Sequence, residues 1–127
     1  MEICNLMIGD WVSYNDKMSC KITALCKDRP VFDTLLGYQD WSIPYEKLKP
    51  IPLTDEILKK NGFDYENNVG DVLEYYNYEI IYNTWEHELR ILENREQILK
   101  IKTFDEMCVH ELQHALRLCG INKEIKI

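Results

Sequence analysis

The chain has 127 residues, is 46% hydrophobic and 29% charged, and carries a formal net charge of −7. That size and balance suit one globular domain, or two very small modules sharing a core. They exclude a membrane-spanning helix, because no apolar run approaches ~18 residues. They also leave no clustered Lys and Arg to neutralise a phosphate backbone, so nucleic acid is not the expected partner.

The negative charge is concentrated in the middle. Residues 1–53 hold 6 basic and 7 acidic side chains, residues 54–102 hold 6 and 11, and residues 103–127 hold 3 and 4. Such a surface favours solubility or a basic partner. The opening Met1-Glu2-Ile3-Cys4-Asn5 lacks the basic region and long apolar stretch of a signal peptide. The 5 Cys (Cys4, Cys20, Cys26, Cys108 and Cys119) are odd in number, and no Cys-x-x-Cys occurs. Reduced thiols in a cytoplasmic protein follow.

Residues 6–53 read as short strands between turns. The spacing predicts strands at 10–14, 18–25, 31–35 and 38–43, with turns at 15–17, 28–30 and 36–37. In the second strand Met18, Cys20, Ile22 and Ala24 share one face. A helical turn is expected at 44–48, behind Pro44. Residues 49–53 form an edge segment, since Pro50 and Pro52 cannot donate to a ladder. Four or five strands of this length suggest a small SH3-like β-barrel, an analogy of pattern without a function attached.

A short helix is expected over 54–63. Thr54 caps its start, Asp55 and Glu56 lie in the first turn, and Asn61-Gly62 stops it so that Phe63 folds onto Leu58. Residues 64–71 read as a polar linker. Residues 73–82 read as one strand presenting Tyr76, Tyr78, Ile80 and Tyr82 on a single face. Such a face is either a ligand platform or a half-buried surface for a helix to pack on. Residues 85–102 fit either a helix, with Trp85, Leu89, Leu92 and Leu99 at helical spacing, or a hairpin turning at Glu93-Asn94-Arg95-Glu96, the latter making a three-stranded meander.

The last helix is expected over 104–119. Thr103 and Glu106 match a capping box, and Gly120 suits a left-handed stop with Ile121 returning to Leu116. At about 100° per residue, Cys108, Val109, Leu112, Ala115, Leu116 and Cys119 share one arc, while His110, His114 and Arg117 face away. This helix carries the string His110-Glu111-Leu112-Gln113-His114. Two His one turn apart can both ligate zinc, and the Glu between them can polarise a zinc-bound water. A catalytic zinc also needs a third protein ligand. Arg117 and Gly120 occupy the positions where an extended metzincin pattern has Gly and His, and the remaining His, His87, lies upstream. Outward-facing imidazoles without a third ligand read as a polar helix face.

Other chemistry is missing from the sequence. The 5 Gly are isolated, so no Gly-rich phosphate loop exists, and no Gly-x-Ser-x-Gly occurs. Cys108 and Cys119 are expected on the core side of the helix, away from His110 and His114, so no Cys–His nucleophile pair is formed.

Two blocks carry a resemblance. Ile51-Pro52-Leu53-Thr54 running into Glu56-Ile57-Leu58 and Gly62-Phe63 is one, and Val109-His110-Glu111-Leu112-Gln113-His114-Ala115-Leu116-Arg117-Leu118-Cys119-Gly120 is the other. Together they resemble a family of small uncharacterised proteins of gut Bacteroidales, encoded in prophages and other mobile elements. The resemblance implies strands before the last helix, which favours the hairpin over the helix at 85–102. It implies no activity and no functional residues. Its members often keep a His-x-Leu-Gln segment without a second His, which leaves a zinc role for His114 without support.

The expected fold is α+β. Residues 1–53 form an SH3-like β-barrel module, and residues 54–127 form a short helix, a three-stranded meander and a C-terminal helix. The expected function is that of a non-enzymatic cytoplasmic accessory protein of a phage or mobile element, acting through a protein partner with no cofactor and no catalytic residue. Two alternatives stand beside it. One is a zinc-dependent hydrolase with His110 and His114 as ligands and Glu111 as base. The other is an SH3-like nucleic-acid binder.

Overall fold

The computed structural model describes residues 7, 10–14, 18–25, 30–34, 39–40 and 48–127. The expected turns at 15–17 and 36–37, residues 41–43 of the fourth strand and most of the helical turn at 44–48 lie outside them. The chain divides into two units, Met1–Ile51 and Pro52–Ile127. The fold is mixed α+β, with two antiparallel sheets and two helices among the described residues.

In the first unit, β1 (Trp11–Tyr14) pairs with β2 (Met18–Leu25), which pairs with β3 (Pro30–Thr34) and then β4 (Gln39–Asp40). The last strand, β5 (Leu48–Pro50), returns to the free side of β1. The order is β4-β3-β2-β1-β5, and no closed barrel is found among the described residues. The period-two pattern of β2 holds over residues 19–22, where Cys20 and Ile22 are buried and Ser19 and Lys21 are partly exposed, and an irregularity in register follows between Ile22 and Ala24. Val12 and Leu48 complete this small core. Leu48 begins a strand instead of closing a helical turn.

The second unit opens with α1 (Asp55–Lys60). The Thr54 hydroxyl accepts from the Ile57 N–H at 3.3 Å, Gly62 is left-handed at φ 91°, and the Phe63 N–H reaches the Leu58 carbonyl at 3.0 Å. Leu58 and Phe63 are both buried, so the stop brings an aromatic ring into the core. The expected linker is in fact structure. β6 (Asp64–Glu66) and β7 (Gly70–Tyr75) form a hairpin across it, because Asn68 takes the left-handed conformation that the turn needs.

The expected single strand at 73–82 is also a hairpin. β7 ends at Tyr75, Tyr76 turns the chain with φ 54°, and β8 (Tyr78–Asn83) returns. β9 (Glu88–Glu93) and β10 (Glu96–Lys102) follow, with Asn94 and Arg95 both at positive φ, the geometry of a two-residue hairpin turn. The sheet order β10-β9-β8-β7-β6 is therefore a five-stranded meander. Register places Asp71, Leu73, Ile80, Tyr82, Leu89 and Ile91 on one face, and all are buried. Both helices serve this face. A Cβ on Gly62 would meet Leu73, and the chain entering the second helix bonds to Tyr82.

That helix, α2 (Val109–Leu118), starts five residues later than expected. The reason is local. The Thr103 N–H donates to the His87 carbonyl at 2.9 Å, which extends the ladder instead of capping a helix. The Met107 carbonyl accepts from the Leu53 N–H at 2.9 Å, and Cys108 bridges Pro52. Cys108 is itself extended, with φ −101° and ψ 159°, so the helix cannot run through it. The Glu111 carboxylate caps the actual start, accepting from the Cys108 N–H at 3.0 Å. The helix stops as expected, with Gly120 at φ 71° and the Ile121 N–H on the Leu116 carbonyl at 2.9 Å. The tail then runs beside α1, where the Asn61 side chain exchanges two hydrogen bonds of 2.7 Å with the Lys126 backbone. No helix among the described residues is long and apolar enough to cross a membrane.

Candidate functional site

The His-Glu-x-x-His string is placed differently from expectation. His110 is buried at 8% exposure, and Gln113 is buried beside it. His114 is half-buried, and the two imidazoles meet edge-to-face with centroids 5.5 Å apart. His110 and Arg117, seven positions apart, share one azimuth within about 20°. Arg117 is exposed, so the cover over this side of α2 is lost toward its C-terminal end. The outward orientation expected for both imidazoles thus fails at His110. Glu111, the residue suited to act as a base, has Oε1 engaged in the helix cap. Among the described residues no three His, Cys, Asp or Glu side chains come together as a metal-binding group, so His87 does not join the pair.

The cysteines of this helix are half-buried instead of lying in the core. Burial pushes the Cys108 thiol up to about 11, and the neighbouring Glu111 and Glu106 carboxylates push the same way. The Cys119 thiol is also raised, by burial and then by Glu93. Neither is poised as a thiolate nucleophile near neutral pH.

The expected platform of Tyr76, Tyr78, Ile80 and Tyr82 is split by the turn. Ile80 and Tyr82 are fully buried, whereas Tyr76 is 89% exposed at the hairpin tip. Exposed aromatics stand instead toward the other end of the sheet, in edge strand β6, in the β8–β9 turn and just beyond the opposite edge strand β10. Trp85 is 80% exposed, Tyr65 is 56% exposed, and Phe104 stands almost fully in solvent.

Tyr65 and Trp85 line a half-open cleft of about 280 Å³ together with Asn68, Val69, Gly70, Asn83 and Glu86. Each turn is locally determined. Asn83 Oδ1 accepts from the Trp85 and Glu86 N–H groups at 2.9 and 3.1 Å, which fixes the β8–β9 turn. His87 follows at φ 53°, with its carbonyl held by Thr103. On the other side Gly70 takes φ 124° and lies so close to β8 that a Cβ would stand 2.5 Å from the Tyr82 carbonyl oxygen. Only glycine lets the two turns approach this closely. Two aromatic residues, one acidic residue and two asparagines are thus among those that line the cleft.

The sequence reading missed this site because Tyr65 fell in a presumed linker and Trp85 in a strand. The usable signal was Asn67-Asn68-Val69-Gly70 and Asn83-Thr84-Trp85-Glu86, two turn-forming stretches each beside an aromatic. No family model, no curated protein and no solved structure matches the chain.

Proposed function

We propose that this protein is a cytoplasmic accessory protein of a phage or mobile element, acting by protein–protein contact and not by catalysis. The observation that carries the contact reading is the exposure of aromatics toward one end of the second sheet, Tyr65, Trp85 and Phe104, two of them lining a cleft. Large aromatics concentrate in binding surfaces because they bury much area at little entropic cost. The mobile-element setting rests on the resemblance of the two sequence blocks. An SH3-like character for the first unit is supported by the return of its last strand to the side of its first.

The test is recovery of the tagged chain from its native host at natural abundance. A partner should co-purify near stoichiometry and be lost with Trp85→Ala. Recovery of no partner, together with a measurable turnover, ends this reading.

A zinc-dependent hydrolase is the second reading. It is favoured by one observation, the 5.5 Å approach of the His110 and His114 rings.

A further inference from the structure

We infer that the cleft between Tyr65 and Trp85 receives a Lys or Arg side chain from an exposed basic segment of the partner. The inference rests on the contact reading and names the chemistry of its site. Aromatic faces attract cations through the ring quadrupole, Trp most strongly, and a nearby carboxylate adds to that attraction. Trp85, Tyr65 and Glu86 supply these elements around one cleft.

The occupant follows from charge. From residue 61 to residue 89 the chain holds no Lys or Arg against 7 Asp and Glu. Of these, Asp71 is buried and Glu88 lies 3.7 Å from Arg90 and 3.9 Å from Lys100. That leaves Asp64, Glu66 and Glu86 as the acidic excess on the strand and turns beside the cleft, an excess that attracts cations. Elsewhere the fold supplies cations to its own rings. Lys21 lies 6.0 Å from the Trp11 ring centroid, and Lys123 lies 5.7 Å from that of Tyr75. Among the described residues no such cation stands over Trp85 or Tyr65. Size points the same way. About 280 Å³ falls just under the range of about 300–1,000 Å³ typical of small-molecule pockets and is enough for one long side chain. A neutral sugar would gain nothing from the acidic field.

The experiment titrates the ¹⁵N-labelled full chain with capped Gly/Ser peptides carrying a single Lys, Arg, norleucine or Glu, and with free butylammonium. The Trp85 indole signal is assigned with Trp85→Phe. The Lys and Arg peptides should shift that signal and the Gly70 and Asn83 amides in a saturable way, while norleucine and Glu peptides leave them in place. Trp85→Ala should weaken binding by about fivefold. Glu86→Gln should weaken it by up to about fivefold, with further loss in high salt. Equal shifts from the norleucine peptide, or none from the cationic ones, overturn the inference. Butylammonium reproduces the lysine side chain alone and should shift the same signals, and no shift from it beside a binding Lys peptide would overturn the assignment of the cleft to the cationic side chain. The two readings fail separately. Cationic peptides that do not bind, beside a host partner held through Trp85, sink only the cleft chemistry. Peptides that bind as expected, beside no host partner and a measurable turnover, sink the contact reading and the partner assignment with it, while the affinity of the cleft for cationic side chains stands.

Discussion

The phenol oxygen of Tyr82 accepts a hydrogen bond of 3.2 Å from the backbone N–H of Met107, and both residues are fully buried. This contact ties the central strand β8 to the segment that leads into α2. Tyr82→Phe keeps the ring and strands the amide. Leaving a buried donor without a partner costs about 1–3 kcal/mol, so the urea midpoint should fall accordingly with an unchanged slope. Amide exchange should quicken first around residues 107–110. An unchanged midpoint would mean that water replaces the phenol.

Gly70 and Gly120 both have positive φ, yet they should respond differently to alanine. At Gly120 nothing lies within 4 Å of an added Cβ, and Gly120→Ala should cost about 1 kcal/mol from backbone conformation alone. At Gly70 the Cβ would meet the backbone oxygen of Tyr82 at 2.5 Å, which no side-chain adjustment relieves. Strain of about 1–3 kcal/mol then adds to a forced separation of β7 from β8. Thermal melts of the two variants should separate clearly, with Gly70→Ala the less stable. Similar melts would show that the β6–β7 turn yields easily.

How far these features could be read from residues alone depended on whether the signal was local. The α1 stop at Asn61-Gly62 is a short-range event and was legible, whereas the hairpin at Asn94-Arg95 competed with the helical spacing of Trp85, Leu89, Leu92 and Leu99 and was not decided by local residues alone. The turn at Tyr76-Asn77 was not legible, because a tyrosine at positive φ is held there by the sheet and not by its own preference. The Thr103 capping box failed for a similar reason. Residues 103 and 107 bond to His87 and Leu53, partners distant in sequence that override a local motif. The burial of His110 depends on what covers the first turn of α2, which no helical periodicity contains. The cleft needed two turns brought side by side by the order of the strands.

Asp71 should leave a signature in the pH dependence of stability. Its carboxyl is buried and titrates above its ordinary 3.8, first through burial and then through Asp55, with Lys59 opposing. A raised folded pKa means that the folded chain holds this proton more tightly than the unfolded chain. The contribution is fully favourable below about pH 3.8 and is lost as pH rises through the folded value. Asp71→Asn should remove that loss, raising stability near neutral pH relative to the parent and flattening the acid-side slope. Urea midpoints across that range measure it. A parallel offset at all pH values would mean that the side chain acts through packing.

The His110–His114 pair separates a helix-packing role from a metal role. A catalytic zinc takes three protein ligands and keeps one position open to water. Here one imidazole is buried, the intervening carboxylate caps the helix, and no third ligand joins the pair among the described residues. Protein purified without added zinc should therefore carry far less than one equivalent, and added zinc should leave the melting temperature unchanged. His110→Ala should destabilise by about 1–3 kcal/mol, as expected for a buried side chain, while His114→Ala should cost about 1 kcal/mol or less. The asymmetry is the diagnostic. Two ligands of one ion would lose metal and stability together, whereas a packed ring and its half-exposed neighbour would not. One retained equivalent, lost equally in both variants, would reassign Glu111 from helix cap to base.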